Sequence, residues 1–308
     1  MATEAVTQTE IRLRAARRRW GEDVIKGVLA LFALLSIATT VGIVVSLLFP
    51  AIEFFRDVSI WDFLTGTDWA PLFEPARFGV LPLIAGTLVV TVVAAALAVT
   101  FGLGSAIYMS EYARPRARRW LKPSLEVLAG IPTVVYGYFA LTFVTPRLQE
   151  LGIVPGSFNA LSAGIVMGVM LIPTVASVSE DAMSAVPNAL RYGAYALGST
   201  RLQVSTRIVV PAAISGIVAS FVLAISRAVG ETMIVLIAAG GQPNWTFDPR
   251  EAVQTMTAFI AATGNGDVPT GSIEYKTIFA VGLTLFVATF AMNLVSIRLV
   301  RKYREVYE

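Results

Sequence analysis

Residues 27–49 run for 23 positions without one charged side chain. As a helix that run is about 35 Å long, enough to cross a hydrocarbon core roughly 30 Å thick. Five more apolar runs follow it. The chain is 56% hydrophobic and only 15% charged, whereas a soluble domain carries about one-quarter charged residues. The pattern predicts an all-α integral membrane protein with six transmembrane helices, at about 27–49, 80–108, 125–143, 160–179, 212–239 and 277–297. The first run is too long for a signal-peptide core, and no small-residue cleavage site soon follows it, so it is expected to remain as an uncleaved span.

The connections carry the charge. Residues 1–26 form a basic segment with Arg12, Arg14, Arg17, Arg18, Arg19 and Lys26. This is read as the flank of a membrane span, not a nucleic-acid arm. Residues 50–79 are acidic and aromatic, with Trp61 and Trp69 expected at the membrane–water interface. Arg114, Arg116, Arg118, Arg119 and Lys122 form a second basic loop. Residues 146–159 read as a short turn and 240–275 as a polar loop. Residues 298–308 form a basic tail. Eighteen Lys and Arg residues fall on one side, five on the other, and Arg227 inside a span. That bias places both termini and the stretch 187–211 in the cytoplasm.

Residues 187–211 read as two short helices hinged at Gly198. Pro187 suits a first helical turn. Leu190, Ala194 and Leu197 recur at helical spacing, predicting one apolar face. Gly198 can take the left-handed conformation that ends a helix, and Ser199 or Thr200 can cap the next. Pro211 is expected to break the second helix. Such a knob between membrane spans is a surface for another protein to grip.

Inside the spans, Gly86-Thr87 and Gly102 permit close helix packing. Pro132 and Pro173 mark expected kinks. Glu126 stands near a span end and is expected to snorkel or pair with a loop Arg. Arg227 and Glu231, four residues apart in the fifth span, are expected to share a helix face. A membrane-centre Arg costs about 2.5–3.5 kcal/mol on insertion scales, so it calls for a partner or a watery cavity. Two readings stand: a substrate path in which the Arg fork meets an oxyanion, or a structural ion pair.

The 187–211 stretch resembles the cytoplasmic coupling loop of binding-protein-dependent ABC transporter permeases, the E-A-A-x3-G-x9-I-x-L-P signature. Gly198, Ile208 and Pro211 fall at its spacing. Tyr192 replaces its glutamate and Gly193 its first alanine, with Ala194 as the second. Within that superfamily, the 124–137 stretch, Gly86-Thr87-Leu88 with Thr91, the Arg227 to Met233 run, and the Met256–Ile260 and Ala280–Phe286 stretches resemble the phosphate-specific permeases of the PstC type. The resemblance covers roughly residues 25–300. It implies a MetI-like core of five spans, here the second to sixth, plus one added N-terminal helix. It implies partners: a homologous second permease subunit of the PstA type, two cytoplasmic ATPase subunits of the PstB type, an extracytoplasmic phosphate-binding protein of the PstS type, and membrane lipid. It makes Arg191, Tyr192, Gly193, Ala194, Gly198, Ile208 and Pro211 the expected ATPase-coupling residues, and Arg227 and Glu231 the expected substrate-path residues.

The chain has no His and no Cys, which excludes thiol chemistry, Cys/His zinc sites and His proton relays. None of its lysines follows a glycine, so it has no Walker A loop for nucleotide phosphates. It is expected to be a non-catalytic subunit without cofactors of its own, ATP and Mg being held by partner ATPase chains. The expected function is phosphate import by alternating access. The alternatives are another oxyanion, such as molybdate or sulfate, or a sensor or scaffold that moves no solute.

Overall fold

The computed structural model describes residues 20–302. Most of the basic N-terminal segment, residues 1–19, and the end of the tail, residues 303–308, lie outside the described residues. Among the described residues, four helices are long and apolar enough to cross a membrane, or six if each of two sharply bent helix pairs counts as one span.

Packing divides the chain between Leu47 and Leu48. In the first unit the described residues belong to helix α1 (Trp20–Asp57) and are exposed from Gly21 through Ile43. The helix continues through Pro50, eight residues past the predicted end of its apolar run.

In the second unit, the end of α1 meets α2 (Ile60–Thr65) and a hairpin of β1 (Trp69–Ala70) and β2 (Arg77–Phe78), with Trp69 paired to Phe78. Phe54, Phe63 and Trp69 are buried together with Phe259, and Phe54 and Phe63 stack edge-on at 5.7 Å. The expectation of a wet aromatic loop at 50–79 is therefore corrected in part. Trp61 and Phe73 are exposed, but Trp69 belongs to the core.

The centre of the unit is α3 (Leu81–Ile107) against α7 (Ala160–Ser184). A Cβ on Gly164 would lie 2.7 Å from that of Val93, and one on Gly168 2.8 Å from that of Leu97. A Cβ on Gly102 would lie 2.6 Å from that of Val175. The partners rise together in number, so the helices run parallel, backbone close to backbone. Pro173 lies within α7, which continues past it.

Two predicted spans are broken. The expected basic loop is in fact the first half of α4 (Pro115–Ala129), and the third span turns by 87° at Gly130–Pro132 into α5 (Thr133–Phe139). Pro132 cannot donate to a helical ladder, and the Tyr136 hydroxyl braces the corner by donating to Leu128 O at 2.8 Å. A π-helical turn, Ala140–Val144, leads to α6 (Thr145–Glu150), which stands where a plain turn was expected.

After α7 come α8 (Asn188–Ala196), α9 (Arg201–Val204), a π-helical turn at Ser205–Val209, and α10 (Val210–Ala212). The fifth span starts as α11 (Ile214–Val229), stops at Gly230–Thr232, and resumes as α12 (Met233–Ala238). α5 and α12 pack through Gly137, whose Cβ would lie 3.1 Å from Met233 O. The expected polar loop contains α13 (Met256–Gly264), a short helix with a buried face. Met256 N–H donates to Thr87 Oγ1 at 3.1 Å, and a Cβ on Gly86 would strike Gln254 O. The last helix, α14 (Ile273–Lys302), completes the unit.

Candidate functional site

The stretch 187–211 is a hinged knob. Pro187 precedes α8 as its cap, and Gly198 sits at φ +81°. There its N–H donates to Tyr195 O at 2.9 Å and Ser199 N–H to Ala194 O at 3.1 Å, closing the C-terminus of α8. Thr200 and Gln203 form a reciprocal capping box at the start of α9.

Pro211 does not end the second helix as expected. Val210 N–H reaches back to Ser205 O across the π-helical turn, and Pro211 stands at the start of α10. The wider turn shifts the carbonyls that a proline ring would strike. The break falls at Ala213, where the chain bends by 72°.

Only part of the predicted apolar face turns inward. Ala194, Val204, Val209 and Ala213 are buried with Ala106, Met183, Val186 and Ile217, and Ile208 packs at their edge. Leu197 is instead 89% exposed, alongside exposed Tyr192 and Leu202. The knob therefore leaves apolar side chains uncovered on its outer surface. Gly193 is exposed with open space around its Cα.

Among the expected coupling residues, Ala194, Ile208 and Arg191 all turn inward, and Arg191 does so as a charge. Its guanidinium donates to Glu111, to Val186 O at 2.6 Å and to Met183 O at 2.8 Å. A second charge cluster was not foreseen. Glu180, with no exposed surface, accepts from Arg118, from Lys122 Nζ at 3.1 Å and from Ser184 Oγ at 2.9 Å. This fastens α4 to α7. The signal was an acid ending an apolar run, opposite a basic run 58 residues earlier. Glu126 lines a cavity of about 500 Å³ beside Arg118, Arg119 and Lys122.

Arg227 and Glu231 do not share a helix face. α11 ends at Val229, so Glu231 lies in the break beyond it. Its carboxylate accepts from Met233 N–H at 3.0 Å and Ile234 N–H at 3.3 Å, capping α12, while its carbonyl accepts from Thr257 Oγ1 at 2.7 Å. A carboxylate aimed at the free N–H groups of a new helix satisfies them. Arg227 is exposed in this chain, and among the described residues no ion pair joins it to Glu231. It stands about 20 Å along α11 from Ile214.

Membrane helices, two spans broken beside each other, and a hinged apolar knob are the build of a transporter's membrane subunit. The chain belongs to the family "Binding-protein-dependent transport system inner membrane component", which matches residues 98–305. It is a multi-pass permease subunit of an ABC transporter with a MetI-like fold. Over 96% of its length, and of the relative's, it is 35% identical to the Bacillus subtilis protein described as "Probable ABC transporter permease protein YqgH". It is 32% identical to the "Phosphate transport system permease protein PstC" of Haemophilus influenzae, covering 93% of this chain and 95% of that one. Among solved structures, a bacterial alginate ABC transporter superposes with a TM-score of 0.63 at 16% identity, covering 93% of this chain and 98% of that one. A MetNI methionine ABC transporter does so with a TM-score of 0.57 at 17% identity, covering 71% and 94%.

Proposed function

We propose that this chain is the membrane-spanning permease subunit of an ATP-driven importer that moves inorganic phosphate across the cytoplasmic membrane by alternating access. The observation that carries the reading is Arg227. It is a guanidinium in the last turn of α11, just before the break in the fifth span, exposed in the lone chain and without an ion-pair partner among the described residues. Its cost in hydrocarbon is relieved by a watery path and an oxyanion within it. Phosphate is the anion named for several relatives at about 30% identity over most of this chain.

In this reading the path runs by the paired helix breaks. Arg227 meets the anion. Glu231 lies beside the path and holds α12 in place. A homologous PstA-type subunit completes the path, a PstS-type phosphate-binding protein docks outside, and membrane lipid surrounds the spans. Two PstB-type ATPase subunits hold ATP and Mg and grip the knob, with Tyr192 in the place of the family's glutamate. In this reading both termini and the knob lie in the cytoplasm, the side that the Lys and Arg bias favours. Closure of the ATPase pair displaces the knob, and α11 with its neighbours rocks between inward and outward openings.

The test is phosphate uptake by vesicles bearing the assembled complex. Arg227→Gln should assemble normally and import roughly ten- to a hundredfold more slowly, the loss of one charge-assisted contact. Normal uptake would remove Arg227 from the path. Competition by molybdate or sulfate as strong as by phosphate would reassign the anion. Absence of ATP-dependent flux would favour a sensor.

A further inference from the structure

We propose that the π-helical turn Tyr108–Tyr112, where α3 ends, is the seat through which knob motion enters the bundle, with Arg191 and Arg201 as its two positioning residues. This rests on the transport reading above and adds the route of the force.

Two contacts of different chemistry converge on that turn from either side of Gly198. From α8, Arg191 Nη2 donates to Glu111 Oε1 at 3.0 Å, and its Nε donates to the same oxygen at 3.3 Å. The two side chains are 13% and 5% exposed. From α9, the Arg201 guanidinium lies over the Tyr112 ring, 5.2 Å from its centroid. Such a contact is attractive through the ring's quadrupole. Glu111 and Tyr112 are adjacent in sequence, so both halves of the knob are tied to one short segment, while Arg191 also ties α8 to the carbonyls of Met183 and Val186 at the end of α7.

That segment is joined directly to two others. Ala113 N–H donates to Tyr108 O at 2.7 Å, closing the wide turn, and α4 begins at Pro115. Separating knob from turn would leave the buried Glu111 carboxylate with the Ser110 hydroxyl, 3.0 Å away, and no counter-charge, which is strongly unfavourable. A displaced knob therefore takes the end of α3 and the start of α4 with it. α3 in turn is packed backbone-close on α7 at Gly102, Gly164 and Gly168, so it moves as a strut and does not bend locally. Wide turns of this kind are rare and gather at functional positions.

The test uses vesicles containing the full complex. Phosphate imported per ATP hydrolysed is measured together with the amount of ATPase retained. Glu111→Gln and Tyr112→Leu should keep the ATPase bound and hydrolysing. Both should lower phosphate per ATP about three- to tenfold, the span expected for residues that carry coupling. Tyr112→Phe keeps the ring and should retain the wild-type ratio. An unchanged ratio in Glu111→Gln and Tyr112→Leu would overturn the seat, as would equal loss in Tyr112→Leu and Tyr112→Phe. Should Glu111→Gln fail to assemble, the Tyr112 pair decides.

A second measurement does not depend on transport. The chain has no cysteine, so spin labels at Ala196→Cys and Arg116→Cys are unique. Their separation should stay within about 2 Å with and without ATP, whereas a slide of one helical turn, about 5 Å, would refute the proposal. A complex that imports no phosphate yet keeps this distance fixed counts against the transport reading and not against the seat.

Discussion

Two glycines of the knob face open space, yet substitution should act on them with opposite sign. At Gly198 the obstacle is backbone alone: φ is +81° and a Cβ would meet nothing within 4 Å. Gly198→Ala should therefore cost about 1–2 kcal/mol, the penalty of a left-handed L-residue. Gly193 lies within α8 at ordinary helical φ, and Gly193→Ala should stabilise by about 0.5–1 kcal/mol. Thermal unfolding of the two variants in detergent checks both signs. Leu197 isolates docking from folding. Leu197→Asp should leave the melting temperature unchanged and reduce ATPase co-purification, because its side chain is almost wholly exposed. Unaltered ATPase recovery would exclude that face as the grip. The residue types of the knob were legible in sequence because caps and hinges are local chemistry. Arg191 was not. Its position in the motif suggested an outward role, and only the fold brings Glu111, 80 residues away, to meet it.

Helix contacts set the next level. Gly164 and Gly168 form a small-x3-small stripe that the sequence displayed but that gained meaning only against Val93 and Leu97. Gly168→Val should destabilise the α3–α7 pair by about 1–3 kcal/mol through overpacking. Unfolding monitored in detergent measures it, and a neutral result would mean that the helices can separate freely. At the N-terminal end of α7, the loop from Gly240 carries an Asp248–Arg250 clasp. The Arg250 side chain, donating to the carboxylate, holds Asp248 down at about 2 from its usual 3.8. A carboxyl group with a lowered pKa contributes its stabilisation above about 3.8 and loses it as pH falls through about 2. The clasp should therefore persist across the range from about pH 4 to 8. An Asp248 carboxyl that titrates near pH 4 by NMR would contradict it.

For the molecule as a whole, sidedness is the outstanding prediction. Single cysteines at Ala196 and Gln242, both exposed, should label from opposite faces of sealed vesicles, Ala196 from the cytoplasmic one. Labelling of Ala196 from outside would invert the proposed assembly. A set of membrane helices with a hinged knob could be read from residue order alone. Length without charge, turn chemistry and the Lys and Arg bias are sums over neighbouring residues, and tertiary contacts rarely reverse them. Contacts between distant segments were needed to fix where the third and fifth spans break, that Glu231 caps a helix and is not paired with Arg227, and which way Arg191 turns. Each of these depends on satisfying a buried charge or a free backbone group. In several the partner is supplied by a segment that local reading cannot place: Glu111 for Arg191, Thr257 for the Glu231 carbonyl, and Arg118 with Lys122 for Glu180.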